Sequence, residues 1–307
     1  MKQVLKRIIG AIPVLIGVVL LIFLMLRVIP GNPVLTLLGE HYNDATIERL
    51  TNSMGLDQPI LVQFFKYIWG LLQGDLGTSY KYTRAVSEMI GEAFPYTLKL
   101  ACMGVVFAWV VGLVSGIIAA IRQNKLLDRL FMGFALVGVS MPVFMTSLFL
   151  QYIFAFQLKW FDLTSTSGTF ASMILPAIAL GWNSAGSIAR MTRSSLIEVM
   201  QADYIDTARA KGLHKAAVIL KHALKNSLLP VITMMALQLA SMLSGAVITE
   251  SVFAIPGIGR LATTAIGNRD MPVLQGTIIF TTVIVILGNL LADLLYSALD
   301  PRIRKGN

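Results

Sequence analysis

The residues with the most chemistry to offer lie together: Asp203-Tyr204-Ile-Asp206-Thr-Ala208-Arg209-Ala-Lys211-Gly212. They belong to a polar island, residues 190–226, set between two long apolar stretches. The island carries the cations Arg190, Arg193, Arg209, Lys211, Lys215, Lys221 and Lys225. Carboxylates interleaved with guanidinium and ammonium groups make ionic and hydrogen-bonded contacts, and small residues around Ala208 and Gly212 let a second surface come close. That chemistry is recognition of a partner. Residues 194–211 are helix-compatible, Gly212 suits a helix stop, and residues 215–226 form a second helix with Val218, Ile219 and Leu220 on its apolar side. A segment that only fixed membrane topology would need a few lysines and no such compact helix-turn-helix.

Catalysis has no comparable foothold. The chain has no G-x-x-x-x-G-K-[ST] phosphate loop, and Gly74-Asp75-Leu76-Gly77-Thr78-Ser79 lacks the lysine. It has no G-x-S-x-G, H-E-x-x-H or C-x-x-C pattern. His41, His214 and His222 fall in polar segments, so no Ser/His pair inside an apolar segment is suggested. Cys102 stands alone and reads as a small buried hydrophobe. No cofactor, no metal and no ATP binding by this chain are expected.

The elements that must position the island are membrane helices. Only 13% of the 307 residues are charged against 56% hydrophobic, with mean hydropathy +0.73, where a soluble domain averages about 25% charged. Apolar runs of about 20 residues span a bilayer as helices, which satisfy their own backbone hydrogen bonds. Six segments qualify: residues 8–29, 95–121, 130–158, 170–189, 228–249 and 273–299. The third is long enough to tilt, and Pro142, Pro176 and Pro230 are tolerable because neighbouring helices can serve the freed carbonyls. The N-terminus imitates a secretory signal. Its apolar run exceeds the usual length of about 7–15 residues and no clear cleavage site follows, so a retained anchor is expected. Placing the N-terminus inside puts sixteen of the 25 lysines and arginines, the island included, on inner segments. The net charge of +9 is thus mostly a topology signal and does not argue for nucleic acid.

Residues 30–94 form the one large outer region. Asn43 can cap a helix over 44–54. Asp57 and Pro59 open a second with Leu61, Phe64, Phe65, Ile68 and Leu71 at helical spacing, stopped by Gly74 and Gly77, and residues 85–93 make a third. The region reads as a helical cap and as a docking surface for an external partner, and the two are compatible. After the fifth span, Glu250, Phe253, Pro256, Gly257 and Gly259 mark a forced turn, which fits a re-entrant gate and an ordinary hairpin equally. Gly112 and Gly116 permit close helix packing. Arg27, Lys99 and Glu250, near span ends, can snorkel to the interface, and Asp293 lies in the last span toward its inner end.

These residues together resemble a known family. Asp206-Thr207-Ala208-Arg-Ala-Lys-Gly212 is similar to the Glu-Ala-Ala-x-x-x-Gly loop of ABC importer permeases, matching at Ala208 and Gly212 and departing at Asp206 and Thr207. Pro230 comes later than in the broad family pattern. The stretch from Asp203-Tyr204 through His222 and Asn226 to Pro230 resembles the peptide/nickel subgroup. So do Glu250-Ser-Val-Phe253, Pro256-Gly-Ile-Gly259, Arg269-Asp270, Asp300-Pro-Arg302, Pro30-Gly-Asn-Pro33, Gly55-Leu-Asp-Gln-Pro59 and Gly74-Asp-Leu-Gly77.

The resemblance implies an all-α integral membrane protein with six transmembrane helices in the type I ABC importer permease fold. Its parts would be the tail and first helix at 1–29, an extracytoplasmic helical region at 30–94, a five-helix core at 95–299 containing the loop 190–226, and a tail at 300–307. It implies a second homologous permease subunit, two ATPase subunits that bind the ATP, and an extracytoplasmic solute-binding protein. The setting would be a bacterial or archaeal cytoplasmic membrane with both termini inside. Asp203, Tyr204, Asp206, Ala208, Arg209, Lys211 and Gly212 would then form the coupling loop that lodges in an ATPase. Short peptides are the expected solute, with nickel, a metal chelate or glutathione as alternatives. A secondary transporter is the alternative class, although the internal repeats usual there are missing.

Overall fold

A computed structural model describes residues 2–28, 48, 51, 57–244 and 246–299. The expected helix over 44–54, His41, the motifs at 30–33 and 300–302, and the side chains of Arg27 and Asp293 lie outside the described residues. Among the described residues every regular element is a helix: α1 Lys2–Val28, α2 Ile60–Leu72, α3 Val86–Ile121, α4 Leu126–Ser140, α5 Val143–Leu150, α6 Phe170–Met200, α7 Asp203–Ala210, α8 Leu224–Ser244, α9 Val247–Val252, α10 Ile258–Asn268 and α11 Met271–Leu299. A π-helical turn, Gln151–Gln157, extends α5, and a one-turn helix Lys215–Ala217 with a π-helical turn Val218–Ala223 leads into α8.

Among the described residues, two helices are long and apolar enough to cross a membrane unaided, Val86–Ile121 and Met271–Ala292. A third candidate is Leu126–Ser140 joined to Val143–Gln157, bent by 114°. The third span expected over 130–158 is therefore two helices meeting at a sharp bend. Pro142 has no N–H to continue the ladder, and Met141 and Pro142 both take extended backbone. Pro95 acts otherwise. It lies inside α3, so the short helix expected over 85–93 and the second span are one element. A proline there removes one backbone bond, while Val86, Ile90 and Ala93 are held in a core with Ile258, Ala265 and Val273.

The chain forms two compact units, Met1–Tyr96 with Pro256–Ile286, and Thr97–Ile255 with Leu287–Asn307. In the first, α2 lays Phe64, Tyr67, Ile68 and Leu71 against Val19, Ile22 and Ile279, with the Phe23 and Phe64 rings edge to face at 5.1 Å. Pro59 caps α2, and a left-handed Gly74 closes it. There the Asp75 N–H donates back to the Gly70 carbonyl, a helix ending that favours glycine. Residues 77–86 then fold into a loop clasped by one buried carboxylate. Asp270 accepts from the Ser79 hydroxyl and from the N–H groups of Tyr80 and Lys81, and Lys81 Nζ donates to Asn268 at 2.7 Å. Asp270 of the Arg269-Asp270 motif thus holds the loop that follows Gly74-Asp-Leu-Gly77. Asp270→Ala strands these donors and is expected to destabilise by about 1–3 kcal/mol per unsatisfied buried group. Limited proteolysis checks this: cleavage within 77–86 rises in the variant, and unchanged digestion would show that the clasp contributes nothing.

In the second unit, α6 is the central post against which α4 and α8 pack most extensively. Contact with α3 depends on missing side chains. A Cβ on Gly112 would come within 2.7 Å of Ile188, and one on Gly116 within 2.6 Å of the Ala189 carbonyl. Gly116→Val is expected to destabilise by about 1–3 kcal/mol through overpacking, read as a lower melting temperature of the purified complex. Gly133→Val, with nothing within 4 Å of its Cβ, is the control for valine in a helix, and equal losses in the two would refute the packing role. Cys102 departs from its expected burial. It is exposed in a stripe with Leu98, Val106, Val110 and Val114, the four-residue spacing of one helix face.

Candidate functional site

The polar island is built on the ends of two long helices. α6 runs to Met200, the chain turns at Gln201 and Ala202, and α7 begins with Asp203 and Asp206 in its first turn and Arg209 in its last. That order places carboxylates near the positive end of the helix dipole and a cation near its negative end. Ile205 and Ala208 point inward, joining Leu196, Val218 and Ala223 in a core that also touches Ile117 and Met200. The small side chain of Ala208 thus serves packing beneath the helix. The second helix expected over 215–226 does not stop there but runs on into α8, since nothing in residues 224–230 breaks the ladder except Pro230, which removes one bond.

The outward face is polar and held locally. Arg209 donates to Asp206 at 2.9 Å and to the Met200 carbonyl at 3.3 Å, and Asn226 donates to the Tyr204 hydroxyl at 3.1 Å. Asp203, Asp206, Lys211 and Gly212 are exposed. Gly212 has φ +77° and nothing near a notional Cβ, so its role is the backbone turn. The following stretch is capped by the His214 ring, whose Nδ1 accepts from the Ala216 N–H at 3.3 Å. Two exposed apolar residues, Leu213 and Leu220, complete this face. The apolar side expected from Val218, Ile219 and Leu220 is divided: Val218 and Ile219 are buried and Leu220 is exposed.

One more contact braces the island. Asp128, in the first turn of α4, is buried and receives both Nε and a terminal nitrogen of Arg193 at 2.6 and 2.7 Å. It also accepts from the Asn124 N–H at 2.8 Å. Sequence reasoning missed this pair because Asp128 sits among the cations of a short loop, 65 positions from its partner.

The turn expected on the outer side has residues in each of the two units. In the second, Glu250 is fully buried and accepts from the Thr97 hydroxyl at 2.7 Å, so it does not snorkel as expected. The turn that encloses it is a helix ending with Ala254 in the left-handed position, where Ile255 donates to the Glu250 carbonyl at 2.9 Å. Phe253 is also buried, and its carbonyl receives the Ser165 N–H at 2.7 Å. Lys99 donates to the Gly168 carbonyl. In the first unit, Pro256 and Gly257 edge an open cleft of about 590 Å³ with Tyr82, Arg84, Glu92 and Arg260, and the buried Gly259 opens α10.

Comparisons with known proteins place the whole chain. Residues 112–305 match the family described as binding-protein-dependent transport system inner membrane component, and residues 1–101 match the N-terminal family of the same systems. The chain is 42% identical to a dipeptide transport system permease protein of Alkalihalophilus pseudofirmus, over 97% of this chain and 98% of that protein. It is 41% identical to a glutathione transport system permease protein of Salmonella paratyphi A, over 99% of each. Among solved structures, it resembles the MetNI methionine ABC transporter in an inward-facing conformation (TM-score 0.56, 18% identity, 69% of this chain and 96% of that one). It also resembles an amino acid ABC transporter solved with histidines (TM-score 0.53, 17% identity, 69% and 94%). These two likenesses establish the fold of the matched part.

Proposed function

The chain belongs to the family of binding-protein-dependent transport system inner membrane components and is a permease subunit of an ABC importer, and from that premise we propose that it forms the path for short peptides across a cytoplasmic membrane. It does so with six membrane passes and both termini inside, beside a second, similar permease subunit. Two ATPase subunits beneath bind the ATP, this chain holding no cofactor, and a solute-binding protein delivers cargo from outside. The observation that carries the coupling is α7, a short polar helix whose inward residues Ile205 and Ala208 fix it to the ends of α6 and α8. A helix so anchored moves with the membrane helices as a lever. Its face of Asp203, Tyr204, Asp206, Arg209, Lys211 and Gly212, flanked by Leu213 and Leu220, lodges in the ATPase. ATP binding favours the state whose docked geometry fits it better, which is how a ligand shifts a two-state equilibrium. Glu250, Phe253, Pro256, Gly257 and Gly259 form the outer turn, next to the path.

Labelled dipeptide uptake into vesicles holding the full complex, with ATP inside and binding protein outside, tests this reading. ATP-dependent accumulation supports it. Uptake of nickel or glutathione alone, run in parallel, would keep the importer and replace the solute. Uptake by this chain without ATPase subunits would overturn the coupled mechanism.

A further inference from the structure

Within the second unit, α4, α6 and α8 line an open cleft of about 580 Å³ whose walls include Met132, Ser187, Arg190, Arg193, Ser194 and Met234. Its size falls in the range of small-molecule sites, about 300–1,000 Å³. The two guanidinium groups in it differ. Arg193 is neutralised by its bidentate bond to Asp128. Arg190 is exposed and has neither ion pair nor hydrogen bond among the described residues. One uncompensated cation therefore faces the cleft, with the hydroxyls of Ser187 and Ser194 one turn to either side of it on α6.

We propose that this cleft binds the free carboxylate of the solute, with Arg190 as the anchoring group. The inference rests on the peptide reading above and deepens it. A guanidinium presents paired N–H donors that match a carboxylate. Ser187 and Ser194 add donors for a neighbouring carbonyl. The rest of the wall is soft: methionines, being flexible and polarisable, adapt to surfaces of differing shape. A path for peptides must accept variable side chains while meeting one invariant group, the terminal carboxylate. A fixed cation in a methionine-lined cleft supplies both. The Asp128 bond matters here as well, because it removes Arg193 as a competing anchor and leaves a single charge to set the orientation.

Equilibrium dialysis of labelled dialanine against the purified full complex, nucleotide-free and without binding protein, reads the cleft directly. Nanodiscs with and without phosphatidylglycerol separate a solute site from a lipid-phosphate site. Arg190→Ala is expected to weaken dialanine binding about tenfold or more, the loss of a charged hydrogen-bonded contact, and Arg190→Lys to weaken it less. Dialanine amide should bind the wild-type complex about tenfold more weakly than dialanine, a comparison that needs no variant to fold. Glu198→Gln, on the same helix and outside the cleft, should bind as the wild type does. Equal binding of acid and amide, unchanged binding by Arg190→Ala, or no binding by the wild type would overturn the proposal. Wild-type binding that vanishes when phosphatidylglycerol is present would also overturn it and assign the cation to lipid. ATP-driven dialanine uptake alongside any of these failures would leave the peptide reading standing, whereas absence of uptake would remove both.

Discussion

Gly212→Val is expected to leave a complex that inserts and hydrolyses ATP but accumulates solute at least about tenfold more slowly, a change equivalent to about 1.4 kcal/mol in coupling. The residue has φ +77°, and a left-handed backbone costs a side chain roughly 1–2 kcal/mol, more for a β-branched one. No atom lies within 4 Å of a notional Cβ, so the chain itself offers no clash and the interior beneath α7 is untouched. The strain is relieved by opening the turn, which displaces Leu213 and the His214-capped start of the next helix relative to α7. A lever that has lost its fixed angle transmits less of the ATPase movement. Asparagine tolerates the left-handed region, so Gly212→Asn should transport close to normally. The ratio of dipeptide accumulated to ATP hydrolysed is the deciding quantity. Normal uptake by Gly212→Val would sink the assignment of this turn to coupling.

How much of this was legible in the sequence depends on whether the cause was local. The Gly212 and Gly74 stops and the Pro59 helix start were readable because each is a property of a few adjacent residues. The helix 258–268 was missed because its flanking glycines and proline suggested only a turn, and because the left-handed endings fall on Ala254 and Arg269, where no glycine announces them. The break at Pro142 and the continuity through Pro95 were not separable in advance. Both are prolines in apolar runs, and what differs is packing: the residues ahead of Pro95 are held in a core, whereas Pro142 begins a new helix at a steep angle. Burial of Glu250 depends on Thr97, 153 positions away, and the Asp270 clasp joins residues 191 positions apart. Period and composition carry no record of such distances. The polar motif itself was visible, but its division into an inward face of Ile205 and Ala208 and an outward face of charge appears only once the ends of α6 and α8 are placed.

Arg193→Ala is expected to lower the melting temperature of the complex by several degrees, because it leaves the Asp128 carboxylate buried without its partner. Breaking a buried pair in this way costs about 3–5 kcal/mol. The lower end applies here, since the Arg193 side chain retains 27% exposure against 4% for Asp128. Arg193→Lys should recover part of the loss, an ammonium being unable to serve both carboxylate oxygens in the fork geometry. The pair also ties the start of α4 to α6 just ahead of α7, so the variant tests more than stability. If transport per ATP falls at a temperature where the variant is still folded, and recovers with Arg193→Lys, the brace takes part in transmitting the movement. If only the melting temperature falls, α6 and α8 alone carry the lever.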